Sequence, residues 1–249
     1  RIRFIRDHRE LYEDAVPNNE LAIVYADDAI AARPETHDTY VALAQALTER
    51  SIQFDVVYVG DGRFNADELD PQTLSGYRAI LLPEAQDLGP VPAAALDAFA
   101  RTGGEVTVYS ESPLDPSLIR TADGRMLLDF WRHYRDEDRD RILESVQAPP
   151  SAVIESSDPA VVATRYELGD GQVLHLLNYR YDEASDTVTP ARDLRLRIPW
   201  GAGAATATLL DLGGEHGVMA KSEDGTLVVE IPELAVYGVL VIAPGSAQT

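Results

Sequence analysis

Hydrophobic positions fall into two regimes along the chain. In the first half, short solid apolar runs alternate with helical spacing. Residues 21–26 (LAIVYA) are apolar throughout and end in Asp27-Asp28, which suits a strand buried on both faces. Tyr40, Leu43, Ala44 and Leu47 then recur at helical spacing, with Thr36 placed to cap that helix. Residues 53–59 (QFDVVYV) predict a second strand, closed by Gly60-Asp61-Gly62, and residues 79–83 (AILLP) a third. A helix is expected over 92–101, with Pro92 in its first turn and Gly103-Gly104 past its end. Residues 105–109 (EVTVY) predict a fourth strand. From Asp123 the spacing is helical again, with Leu127, Phe130, Trp131 and Tyr134 on one face and a charged, solvated stretch over 132–141. Strands alternating with helices imply a parallel sheet with right-handed crossovers.

Ala148-Pro149-Pro150-Ser151 marks a boundary. Beyond it the period is two. Strands are expected over 160–167, 172–179, 193–198, 204–210, 226–231 and 236–242, with Gly169-Asp170-Gly171 and Asp224-Gly225 as turns. Short strands and frequent turns indicate a small β-sandwich.

Composition narrows the function classes. Net charge is −21, from 42 acidic and 21 basic residues, and Lys221 is the single lysine. Phosphate-binding surfaces are basic, so nucleic acid is not an expected partner. No apolar run approaches the length of a membrane span. The chain has no cysteine, which excludes thiolate chemistry, disulfides and cysteine metal sites. Acidic excess with scarce lysine suits the cytoplasm of a cell with molar internal salt, where charges are screened within roughly 3 Å.

Several phrases carry a family resemblance. They are Gln53-Phe54-Asp55-Val56-Val57, Leu74-x-x-Tyr77-Arg78-Ala79-Ile80-Leu81-Leu82-Pro83 and Gly103-Gly104. This part resembles the trimerisation domain that follows the catalytic barrel in family 42-type β-galactosidases, a domain with a class I glutamine-amidotransferase-like fold. His175-Leu176-Leu177-Asn178-Tyr179 and Ile231-Pro232-x-Leu234-x-x-Tyr237 are similar to the β-sandwich that ends many such glycosidases. The resemblance covers nearly all of the chain after residue 20. It implies a flavodoxin-like (class I glutamine-amidotransferase-like) parallel-sheet domain over 21–148, then a small β-sandwich over 151–245. Residues 1–20 would be a linker from an upstream domain. The family's hydrolytic carboxylates lie on its barrel, so the resemblance implies a noncatalytic, oligomer-forming region with no cofactor. Homo-oligomerisation and carbohydrate contact are the expected partnerships.

Two sets of residues are candidates for chemistry. The amidotransferase relatives hold a cysteine on a strand-to-helix turn; here the corresponding position follows residues 105–109, at Ser110. A serine there needs a base and an oxyanion hole, and no Gly-x-Ser-x-Gly elbow is present. This is the small-hydrolase alternative. The second set is Asp27, Asp28, Asp61, Glu84, Asp87 and Glu111, all at predicted carboxyl ends of strands, where open α/β sheets bind ligands. Their oxygens suit sugar hydroxyls or a hard cation such as Ca²⁺ or Mg²⁺. A standalone carbohydrate-binding module is the remaining alternative. The five histidines (8, 37, 133, 175 and 216) show no metal-ligand spacing. The high-salt expectation predicts greater resistance to denaturation in molar KCl than at low salt; equal stability in both would overturn it.

Overall fold

A computed structural model describes residues 2–60, 69–84, 88–148, 151, 153–201 and 203–245. The chain forms two compact units. One comprises Asn19–Thr48 and Gln53–Ala152; the other comprises Arg1–Asn18, Glu49–Ile52 and Val153–Thr249. The chain opens with two short helices, α1 (Ile2–Asp7) and α2 (Glu10–Glu13), which belong to the second unit.

The first unit alternates strands and helices in the order β1 (Leu21–Ala26), α3 (Asp27–Ala32), α4 (Glu35–Glu49), β2 (Asp55–Val59), α5 (Pro71–Leu74), β3 (Ala79–Leu82), α6 (Pro90–Arg101), β4 (Glu105–Val108), β5 (Arg120–Thr121), α7 (Arg125–His133) and α8 (Asp136–Ser145). The five strands form a parallel sheet in the order β2-β1-β3-β4-β5. Apolar runs become strands here because helices cover a parallel sheet on both faces. Every residue of β3 is buried, and Ile80, Leu82, Val24 and Val108 pack with Leu96 and Phe99 of α6. Burying each such side chain contributes about 1.5–3 kcal/mol.

Local chemistry sets the ends of the helices. Asp70 Oδ1 accepts from the Gln72 and Thr73 amides at 2.7 and 3.1 Å, and Pro71 follows as the first helical residue of α5. Helix α6 begins at Pro90, so Pro92 sits in its first turn as expected. Beyond it a Cβ on Gly104 would lie 2.2 Å from the Phe99 ring, a contact only glycine avoids. Thr36 lies inside the first turn of α4 rather than capping it.

The charged stretch after α7 differs from expectation. Helix α7 stops at Tyr134, which adopts a left-handed conformation (φ 51°), and α8 starts afresh. The Asp138 side chain is only 1% exposed. It faces Arg135 Nε at 2.6 Å and Arg141 at 3.5 Å. A buried carboxylate is tolerated when it is paired in this way.

The second unit is antiparallel. Its strands are β6 (Glu155–Ser156), β7 (Val161–Leu168), β8 (Gly171–Asn178), β9 (Tyr181–Asp182), β10 (Thr187–Val188), β11 (Ala191–Pro199), β12 (Ala205–Asp211), β13 (Gly214–Glu223), β14 (Thr226–Leu234) and β15 (Tyr237–Pro244). Strands β9 and β10 pair as a separate small ribbon. The others form one eight-stranded sheet in the order β6-β11-β14-β13-β12-β15-β8-β7. The sequence does not announce β13, because most of its residues are exposed and no apolar alternation marks it. Gly214–Val218 of β13 pair with β12, and Met219–Glu223 pair with β14. Hydrogen bonding therefore runs unbroken between the two halves of the sheet. Both halves contribute to one core, with Leu174, Leu176 and Leu240 from one and Leu196, Val229 and Ile231 from the other. The expected turns are present: Gly169-Asp170 joins β7 to β8, and Asp224-Gly225, both at positive φ, joins β13 to β14.

Residues 2–18 pack against this sheet. Leu11 is buried with Val173, Leu210 and Val239, and Phe4 and Tyr12 lie against that group. Val16 and Glu167 exchange two backbone hydrogen bonds, at 2.9 and 2.8 Å. His175 is the polar centre of the contact. Its Nδ1 lies 2.6 Å from the Tyr237 hydroxyl, which lies 2.8 Å from that of Tyr12. The rings of Tyr12, Tyr166 and Tyr237 surround the imidazole.

Burial lowers the His175 pKa from its ordinary 6.5, opposed by a hydrogen bond with the Leu11 backbone. The unfolded chain therefore binds the proton more readily, and stability falls as pH drops below the ordinary histidine value. Urea titrations from neutral pH to about pH 5 should show this loss, and His175→Gln should reduce it. Equal losses in the parent and the variant would count against the assignment.

Candidate functional site

The carboxyl ends of the parallel strands carry the candidate site. Strands β2 and β3 lie on opposite sides of β1, so the chain reverses direction across the sheet there. In such sheets the crevice beyond the strand ends is where ligands bind. A cleft of about 500 Å³ lies beyond β3, β4 and β5.

Each wall comes from the residues that follow a strand. Glu84 stands two residues past β3, and its carboxylate meets Arg33, the residue that ends α3, at 3.4 Å. Ser110 and Glu111 follow β4, one residue beyond buried Tyr109. The Ser110 hydroxyl donates to the Glu111 carbonyl at 3.2 Å. Asp123, Gly124 and Arg125 form the third wall, between β5 and α7. Asp123 Oδ1 accepts from the Arg125 amide at 3.0 Å, which fixes the turn just before α7, whose N-cap is Gly124. Thr36 and Thr39 of α4 add hydroxyl-bearing residues, while Pro83 and Leu128 add apolar surface.

Tyr109 fixes the floor. Its hydroxyl pairs with the Ser145 hydroxyl at 2.8 Å, and burial pushes its pKa up to about 12, opposed by that hydrogen bond. It stays neutral near pH 7. Gly124 crosses directly over the Tyr109 backbone: a Cβ at position 124 would stand 2.0 Å from the Tyr109 carbonyl oxygen.

The structure brings three of the sequence candidates, Glu84, Ser110 and Glu111, to one cleft. Asp27 and Asp28 sit in the first turn of α3 and are not among the residues lining it. Asp61 and Asp87 lie outside the described residues. Among the described residues no group of three or more histidine or acidic side chains could hold a metal ion. No histidine is among the described residues lining the cleft.

Sequence reasoning missed Arg33, Asp123, Gly124 and Arg125. Arg33-Pro34 ends the helix after β1, and Asp123-Gly124 carries a turn signal, so both loops were visible. Strand β5, which places the second loop, has two exposed polar residues and no apolar signature.

A second hollow, of about 620 Å³, is larger but lies at the opposite end of the strands. Ala79, which opens β3, and Glu105, which opens β4, are part of its lining. Position relative to the sheet favours the smaller cleft.

No protein-family model and no curated protein matches the chain. Solved structures do. An α-L-fucosidase isoenzyme 2 from Paenibacillus thiaminolyticus aligns over 97% of this chain and 51% of its own, at 11% identity and a TM-score of 0.71. A GH42 β-galactosidase from G. stearothermophilus aligns over 92% of this chain and 40% of its own, at 12% identity and a TM-score of 0.51. An exo-carrageenase GH42 from Bacteroides ovatus aligns over 92% of this chain and 29% of its own, at 11% identity and a TM-score of 0.50. At such identities the likeness is one of fold. The chain has a fold found within glycoside hydrolases, and it spans about half or less of the length of these structures. Among the described residues no helix is long and apolar enough to cross a membrane.

Gly124→Ala should force the wall of the cleft away from Tyr109. A loss of about 1–3 kcal/mol is expected in denaturant titration, as for other overpacked sites. An unchanged midpoint would show that the loop yields freely.

Proposed function

We propose that this chain is a noncatalytic accessory region of a glycoside-hydrolase-like protein, acting in self-association and bordering a sugar pocket. The observation that carries the reading is coverage. The fold likeness takes in 97% of this chain but only 51% of the fucosidase, and 92% of this chain but only 40% of the β-galactosidase. A parallel-sheet unit and an antiparallel unit, together similar in fold to part of those enzymes, support an accessory role. The strand order β2-β1-β3-β4-β5 supports the flavodoxin-like, amidotransferase-like assignment of the first unit. The single antiparallel core shared by both halves of the second sheet supports a sandwich-like terminal domain. The acidic surface supports a high-salt cytoplasm as the setting, where screening lets like-charged copies approach.

A Ser110 hydrolase gains no support from the cleft, since histidine is the usual partner of such a serine and none is among its described lining residues.

Sedimentation of the 249-residue chain in molar KCl should reveal a self-associated species, and the same sample should not turn over aryl galactosides or fucosides. A strict monomer would overturn the assembly role. Turnover that survives repurification would overturn the noncatalytic one.

A further inference from the structure

Strand β13 turns one face to the core and the other to solvent. Val218 and Ala220 pack toward the core of the second unit. Side chains alternate along a strand, so Glu215, Gly217, Met219 and Lys221 point outward together. All four are exposed, Met219 to 69%. Beside Met219 the surface is hollow, about 510 Å³, bordered by Gly217, Val218, Ile231 and Pro232. Gly217 leaves the hollow open, since a Cβ there would meet nothing within 4 Å. A flexible thioether thus stands two residues from a gap on the same face.

The outward charges in register with these residues are mixed in sign. Glu230 and Arg195 continue the Met219 row across β14 and β11, and Glu215 and Lys221 flank Met219 along β13. Carboxylates and cations offset each other there, on a chain of net charge −21. Like-charged copies repel least where the surfaces that meet are locally balanced.

A knob and a gap on one strand are complementary to the same strand reversed. We infer that a second copy of this chain docks here, outer face to outer face, with the two β13 strands antiparallel. A two-fold axis over Val218, lying between the faces and perpendicular to β13, sets each Met219 over the other copy's Gly217. The same axis sets each Lys221 opposite the other copy's Glu215. Lys221 keeps Glu223 of its own strand at 2.7 Å, and its ammonium has further N–H donors for a second carboxylate. Such an interface is isologous and closes at a dimer. The inference rests on the self-association part of the proposed function and names the surface that would serve it.

Sedimentation of the full chain in molar KCl tests it, with Gly217→Val and Met219→Glu as variants. The valine fits the isolated chain, because Gly217 has open space around it and no positive φ. Its thermal unfolding in dilute solution should therefore match or exceed the parent's, while the filled gap weakens pairing at least about tenfold. Met219→Glu should weaken pairing to a similar degree, with unfolding unchanged. A carbodiimide, which joins an amine to a touching carboxylate as an amide, should link Lys221 of one copy to Glu215 of another in a mixture of light and isotope-labelled chains. Lys221 is the single lysine, so the linked peptide identifies the contact. Assembly at parental strength in both folded variants, or assembly without that link, overturns this surface and leaves self-association standing. A strict monomer overturns both.

Discussion

A parallel sheet must be covered on both faces, and that requirement shapes the first unit. It makes β1 and β3 almost wholly apolar and leaves their surfaces no room for chemistry. Polar groups are displaced to the strand ends, where the backbone leaves the sheet. Glu84, Ser110, Glu111 and Asp123 all stand within a few residues of a strand terminus. The cleft is thus a product of core packing. The buried ring of Tyr109 and the close approach of Gly124 transmit the position of β4 to the loop that starts α7.

The second unit meets the same demand by a different route. In β11 buried and exposed residues alternate, whereas in β7 buried residues alternate with partly covered ones. Its sheet gains further cover from residues 2–18, where Leu11 supplies apolar contact and His175 supplies polar partners. Taken from sequence alone, that segment is a linker; in the fold it is part of the unit.

Strands with a strong apolar pattern were legible, and so were the turns that need glycine. The run 21–26 became β1 with matching ends, and Asp224-Gly225 became a turn at positive φ. Elements held mainly by backbone pairing were not. Strand β13 has exposed residues along most of its length, and β5 consists of Arg120 and Thr121, so neither leaves an apolar trace. Asp138 was hidden for the opposite reason: among so many charges, nothing in the sequence marks the one that is buried. The cleft was half legible. Strand ends pointed to Glu84, Ser110 and Glu111, whereas Arg33, Asp123 and Arg125 required knowing which loops converge.

Strand β13 has a mechanical meaning as well. Among the described residues it is the strand that pairs with both ladders, β6-β11-β14 on one side and β12-β15-β8-β7 on the other. A strand whose side chains contribute little to the core therefore ties two ladders into one. Disorder that starts in Gly214–Glu223 reaches both ladders at once, so the second unit is built to lose its order as a single cooperative block.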